Sequence, residues 1–130
     1  QIVVVQKMVE DLNFNLKIIV GPTVREASGL ALSSRNSYLS EDEKKQAPAL
    51  FESLKKAKEL IDKGERVASK IIHEMEKLIL SKPKAIIDYI AIIDSQTLEP
   101  PERLKGEVLI SLAVFIGNTR LIDNLKLTVK

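Results

Sequence analysis

The sequence predicts an α/β chain of the α+β kind, in which a small antiparallel three-stranded sheet is covered by two helices. Three observations predict it. Two stretches repeat apolar residues at helical spacing: Leu50, Phe51, Leu54, Ala57 and Ile61, then Ala68, Ile71, Ile72, Met75, Leu78 and Ile79. Three later runs read as strands, and the last two are joined by Gly117-Asn118, a hairpin dipeptide. Ahead of all these, a helical stripe runs directly into a short apolar strand.

That first stripe consists of Val5, Met8, Val9 and Leu12, with Gln6, Lys7, Glu10 and Asp11 on the other side. Ile2 to Val5 is β-branched and fits a strand as well, but the spacing through Leu12 favours a helix. Asn13 terminates it, and Leu16 to Val20 follows as a buried strand before a turn at Gly21 and Pro22. A helix leading into an apolar strand is the second half of a βαβ unit. Its first strand is missing, and a single parallel-type strand cannot pair its backbone alone. The sequence also opens without methionine, so it reads as a piece of a longer protein.

Ser40-Glu41-Asp42-Glu43 has capping-box spacing, with Ser40 as N-cap. Pro48 would remove an internal hydrogen bond from a continuous helix. Either Glu41 to Gln46 is a separate turn and Pro48 starts the main helix, or one helix kinks there. Gly64 is the natural stop of the first long helix, and the second ends before Pro83. Ile86 to Ile93 is the first strand of the sheet, Thr97 to Gly106 a loop, and Val108 to Ile116 and Leu121 to Val129 the hairpin. Leu125, Leu127 and Val129 alternate with Lys126 and Thr128, which predicts one face toward water.

Composition excludes several classes. The 130 residues are 45% hydrophobic and 29% charged, a balance typical of one globular domain. Twenty basic residues against eighteen acidic ones leave a net charge of +2, without the basic stripe of a nucleic-acid binder. No cysteine is present, which removes disulfides, thiolate catalysis and cysteine-based zinc sites and is compatible with a reducing cytosol. The apolar run Val108 to Ile116 is too short to span a membrane. Aromatic residues are 4% and tryptophan is absent, which argues against base-stacking platforms.

The stretch with most chemistry is Gly29-Leu-Ala-Leu-Ser-Ser-Arg-Asn-Ser-Tyr-Leu39. A glycine bend leads into two adjacent hydroxyls and an arginine at the start of a helix. Hydroxyls donate to phosphate oxygens, and a guanidinium forks onto two oxygens while keeping its charge. Ligands in parallel α/β sheets bind just beyond the carboxyl ends of strands, where this stretch falls. Ser-Ser-Arg-Asn also occurs in ordinary solvated loops, with the serines bonding their own backbone.

The segment Gly21-Pro-Thr-Val-Arg-Glu-Ala-Ser-Gly-Leu-Ala-Leu-Ser-Ser-Arg-Asn-Ser-Tyr-Leu39 resembles the pantothenate synthetase (pantoate–β-alanine ligase) family. The likeness extends to Met8-Val-Glu-Asp-Leu-Asn-Phe14 and to Asn118-Thr-Arg-Leu-Ile-Asp-Asn124. The resemblance implies ATP-dependent joining of pantoate and β-alanine with release of AMP and pyrophosphate, and Mg2+ on the phosphates. It implies catalytic roles for Arg35, Ser33 and Ser34 in a loop similar to the KMSKS loop of class I aminoacyl-tRNA synthetases. ATP contacts are implied for Val24 and Leu32 through backbone groups, and a pantoate contact for Gln1.

Residues 1–24 would then be the tail of a larger Rossmann-like N-terminal domain, and residues 25–130 a C-terminal lid domain. Nothing in the chain matches the HIGH-type motif of that N-terminal domain. A cytoplasmic homodimer is the expected parent, and the piece alone is expected to be inactive. The alternatives are a stand-alone α/β interaction module without ATP chemistry and, on pI alone, a weak nucleic-acid binder.

Other polar residues have plainer readings. His73, the lone histidine, has polar neighbours Ser69, Lys70, Glu76 and Lys77 and reads as solvated. Arg25 and Glu26 either pair, line the cleft or are loop charges. Asp88, among isoleucines, is outward-facing or paired with a base. Arg120, Asp123 and Asn124 read as structural, holding sheet and loop together.

Overall fold

Burial of two apolar helix stripes against one row of a strand organises the chain. The structure, a computed structural model, describes residues 4, 7 and 23–130. The readings of a helix over Val5 to Leu12 (residue 7 apart), a strand over Leu16 to Val20, the turn at Gly21 and Pro22 and the role of Gln1 lie outside the described residues.

A short 3-10 helix, Ser34–Tyr38, follows the glycine bend. Helix α1 spans Glu41–Gln46, α2 spans Ala49–Asp62 and α3 spans Ala68–Leu80. Both halves of the capping box form at α1: Ser40 Oγ accepts from the Glu43 amide at 3.2 Å, and Glu43 Oε1 accepts from the Ser40 amide at 2.9 Å. The break at Pro48 resolves as two helices. Pro48, with φ −59°, sits at the N-cap of α2, where its missing N–H costs nothing. Buried Gln46 joins this corner to the sheet by accepting from the Lys84 amide at 2.9 Å.

Strands β1 (Ala85–Asp94), β2 (Gly106–Ile116) and β3 (Thr119–Val129) form an antiparallel sheet in the order β1-β2-β3. Gly117 has φ +62° and is the first central residue of the two-residue turn between β2 and β3, the type II′ position that glycine fills without strain. On β2 the alternate residues Val108, Ile110, Leu112, Val114 and Ile116 are fully buried beneath α2 and α3. Leu54, Ile71, Met75 and Ile79 of the helices pack with them in one core.

The opposite face of the sheet carries exposed Ile86, Tyr89 and Ile122. A bulge between Ile87 and Tyr89 shifts the β1–β2 register. Asp88, the extra residue, pairs with Arg120 of β3 at 3.0 Å (Oδ2 to Nε), which settles its two earlier readings as a half-exposed residue with a basic partner. His73 is exposed on α3, as its neighbours imply. Among the described residues, no helix is long and apolar enough to cross a membrane.

Candidate functional site

The segment between Thr23 and Leu39 doubles back on itself before it reaches the hydroxyl pair. The amide of Glu26 donates to Leu30 O at 2.8 Å, and that of Gly29 donates to Glu26 O at 2.9 Å. Arg25 and Ala31 then face each other as a single antiparallel bridge, and the Leu32 amide donates to Val24 O at 2.8 Å. This narrow reversal needs Gly29. Its φ of +94° is strained for other residues, and a Cβ there would stand 2.5 Å from Phe51 Cδ2.

Past the reversal, Ser33 has extended backbone and caps the 3-10 helix by accepting from the Arg35 amide at 3.2 Å. Ser37 Oγ donates to Ser34 O at 2.9 Å. Ser33, Ser34 and Arg35 are all exposed. The Arg35 side chain reaches across to the sheet, where Nη1 donates to Arg120 O at 3.3 Å. Asn36 turns inward: Nδ2 donates to Ala31 O at 3.1 Å, while Oδ1 is buried without a hydrogen-bond partner.

Leu32, Ser33, Arg35 and Asn36 stand on one wall of a cleft of about 350 Å³, with Arg120, Leu121, Ile122, Asp123 and Asn124 of β3 as the other. The structure therefore brings Leu32, Ser33 and Arg35 to one cleft beside the start of β3. Val24 lies next to Leu32 through the backbone bond, and both side chains are exposed, at 65% and 61%. The carbonyl of Val24 is engaged by Leu32, so the two positions form one rung of the reversal. Ser34 is exposed but does not line this cleft. A larger apolar groove of about 630 Å³ lies between α3 and β1, lined by Val67, Ile72, Ile90, Ile92, Pro100 and Pro101 among others, and offers no comparable cluster of donors.

Two residues left open or assigned only a general role have definite places. Arg25 forks onto Asp123, with Nη1 to Oδ2 at 2.6 Å and Nη2 to Oδ1 at 3.0 Å. Asp123 thus does join sheet and loop, and Arg25 is its partner. The usable signal was strand alternation. Leu121, Asp123, Leu125, Leu127 and Val129 share one face, so a carboxylate in that row needed a partner. Glu26 is exposed, with Oε1 3.5 Å from Asn36 Nδ2.

Among the described residues, no three His, Asp or Glu side chains converge as a metal cage. The donors at the cleft are hydroxyls, guanidinium groups and amides, which suit an anion.

A family profile described as pantoate-beta-alanine ligase matches residues 1–126. Pantothenate synthetase of Caldicellulosiruptor saccharolyticus is 52% identical over 125 residues, covering 96% of this chain and 44% of the relative. That of Moorella thermoacetica is 51% identical over 129 residues, covering 99% and 46%. The chain thus spans a little under half the length of these relatives. Among solved structures, pantothenate synthetase from Thermus thermophilus matches with a TM-score of 0.84 at 38% identity, over 95% of this chain and 45% of the other. A pantoate-beta-alanine ligase from Francisella tularensis, complexed with beta-gamma ATP and beta-alanine, matches with a TM-score of 0.53 at 28% identity, over 96% and 39%.

Proposed function

Because this chain belongs to the pantoate–β-alanine ligase family, we propose that residues 25–130 are the lid domain of a cytoplasmic, homodimeric ligase. Residues 1–24 are then the tail of an N-terminal domain that supplies the rest of the active site. The reaction joins pantoate to β-alanine. Pantoate's carboxylate attacks the α-phosphorus of ATP, expelling pyrophosphate and leaving an acyl adenylate. The amine of β-alanine then attacks the activated carbonyl, and AMP departs.

This chain contributes charge stabilisation and positioning, which dominate catalysis of phosphoryl and adenylyl transfer. Arg35 places a guanidinium on the β and γ phosphates, and Ser33 and Ser34 donate hydroxyl hydrogens beside it. Leu32 and Val24 border the nucleotide with backbone, and Gln1 touches pantoate only when the N-terminal domain frames it. Mg2+ would arrive on the triphosphate and offset its charge, as it usually does in such sites. When the lid swings onto ATP, the phosphate clamp is completed and water is kept from the adenylate.

The observation that carries this reading is the exposure of Ser33 and Arg35 on the wall of one anion-suited cleft, with exposed Ser34 between them in the chain. Among the described residues, the Arg35 side chain has a single weak bond, to a backbone carbonyl, which leaves it available to a stronger acceptor. In the whole ligase, Arg35→Ala should lower kcat/KM for ATP by roughly a hundredfold. The melting temperature should stay within the change expected of a surface substitution. The 130-residue chain alone should release no AMP with pantoate and β-alanine. Normal turnover by the Arg35→Ala ligase defeats the proposal. A stand-alone interaction module would instead be indifferent to Mg·ATP in calorimetry, with or without the N-terminal domain.

A further inference from the structure

Resting on the reading of the Ser-Ser-Arg loop as a phosphate clamp, we infer that Arg25 and Asp123 are positioning residues. Their paired side chains lock the base of that loop onto the sheet and so fix where Ser33 and Arg35 stand. Neither touches nucleotide in this assignment.

The geometry is unusually complete for a loop residue. Asp123 stands opposite Leu112 on the helix-covered face of the sheet, and its side chain is only 2% exposed. Both its oxygens accept from Arg25, and Oδ1 accepts the Asn124 amide as well, at 2.8 Å. The same guanidinium donates inward to Gly29 O at 3.1 Å, closing the reversal from within. Its flat face lies over Phe51 of α2, with Cζ 4.1 Å from the ring centroid. One side chain therefore ties together the reversal, β3 and α2.

Asn36 adds a second tie, from the 3-10 helix back to Ala31 O. All of these bonds lie around the base of the loop, while Ser33, Ser34 and Arg35 project beyond it. Arg25 is poorly placed to be a phosphate ligand itself, because its charge is already matched by a buried carboxylate.

The chemistry of the pair makes it hard to replace. A bidentate guanidinium–carboxylate bond fixes direction as well as distance. Lysine keeps the charge but cannot reproduce the fork or lie flat on a ring. Removal of either partner leaves the other charge largely buried and uncompensated.

The test uses Asp123→Asn and Arg25→Lys, each in the 130-residue chain and in the whole ligase containing it. In the chain, amide hydrogen exchange is followed at Glu26, Leu32 and Asn36 of the loop and at Ile110 and Leu112 of β2. The loop amides should exchange roughly tenfold faster or more, with β2 unchanged. In the ligase, kcat/KM for ATP should fall by about tenfold with KM for β-alanine unmoved.

Loop exchange that stays at the parent rate overturns the inference. So does a loosened loop with unaltered ATP kinetics, and so does β2 opening together with the loop in both variants, which would make the pair part of the core. The exchange measurement does not involve nucleotide. A ligase indifferent to Arg35→Ala would therefore sink the clamp reading while leaving the locked loop standing.

Discussion

The sheet-and-helix body and the loop that precedes it are held together by different physics. In the body, five alternate residues of β2 are fully buried, and α2 and α3 cover them with leucine, isoleucine and methionine. Such burial is non-directional and spread over many small contacts, so no single one decides the structure. In the loop, Leu30 and Leu39 are the buried apolar residues, and the shape is set by a few directional bonds. Arg25 to Asp123, Leu32 to Val24 and Asn36 to Ala31 account for most of it. A platform built by burial stays rigid, whereas a loop built from separate bonds can be released one bond at a time. Under the proposed function, packing carries the platform and a few directional bonds set where the Ser-Ser-Arg loop stands on it.

The largest break in the comparison comes from the body. Leu112→Ala empties a fully buried site in the middle of the central strand and should destabilise the fold by about 3 kcal/mol. Chemical denaturation should show a lower midpoint for the entire chain, because the loop rests on β3 and α2. A local effect confined to residues 23–39 would contradict the idea that the body carries the loop.

A smaller and more local change is expected from Gly29→Ala. The backbone there has φ +94°, and the new methyl would meet the edge of Phe51. The combined strain and clash should cost about 2 kcal/mol. Displacing Phe51 also disturbs its contact with Arg25, so the loss should appear first as faster exchange at Leu32 and Asn36. If the variant melts like the parent and its loop exchanges at the parent rate, the tightness of this bend has been overstated.

How much of this was legible depended on how local each interaction is. The stripes of α2 and α3, the capping box at Ser40 and the Gly117-Asn118 hairpin are written in residues a few positions apart, and each appears where its spacing puts it. The choice at Pro48 could not be made from spacing, because both outcomes keep the apolar stripe; buried Ala47 and Gln46 favour the two-helix arrangement in the folded chain. The bulge at Asp88 has no local signature, since it arises from how β1 meets β2. Ser33, Ser34 and Arg35 could be singled out in the sequence as candidate phosphate donors. That Ser33 and Arg35 share a cleft could not be read there, because its far wall is β3. The pairing of Arg25 with Asp123 spans 98 positions. Alternation along β3 signalled that Asp123 needed a partner, but only the fold identifies which arginine supplies it.

The smallest expected effect lies at the junction of the two regions, where Ser40 starts α1. Ser40→Ala removes the acceptor for the Glu43 amide and should cost about 1 kcal/mol, without loosening the reversal at Gly29. The same junction has a pH signature. The Glu43 carboxyl is held below its ordinary value of 4.5, chiefly by its hydrogen bond from the Ser40 amide. A carboxyl depressed in the folded state favours folding above that value, and its contribution fades as pH falls through the lowered value. Glu43→Gln should therefore lower stability slightly in the neutral region and converge with the parent in acid, so that its profile falls less steeply below about pH 4.5. Melting curves recorded from neutral pH down into the acid range would check the sign. A Glu43→Gln profile that ran parallel to the parent throughout would mean that this cap plays no part in the acid response, and that the boundary between loop and body is set by packing at Leu39 and Ala47 alone.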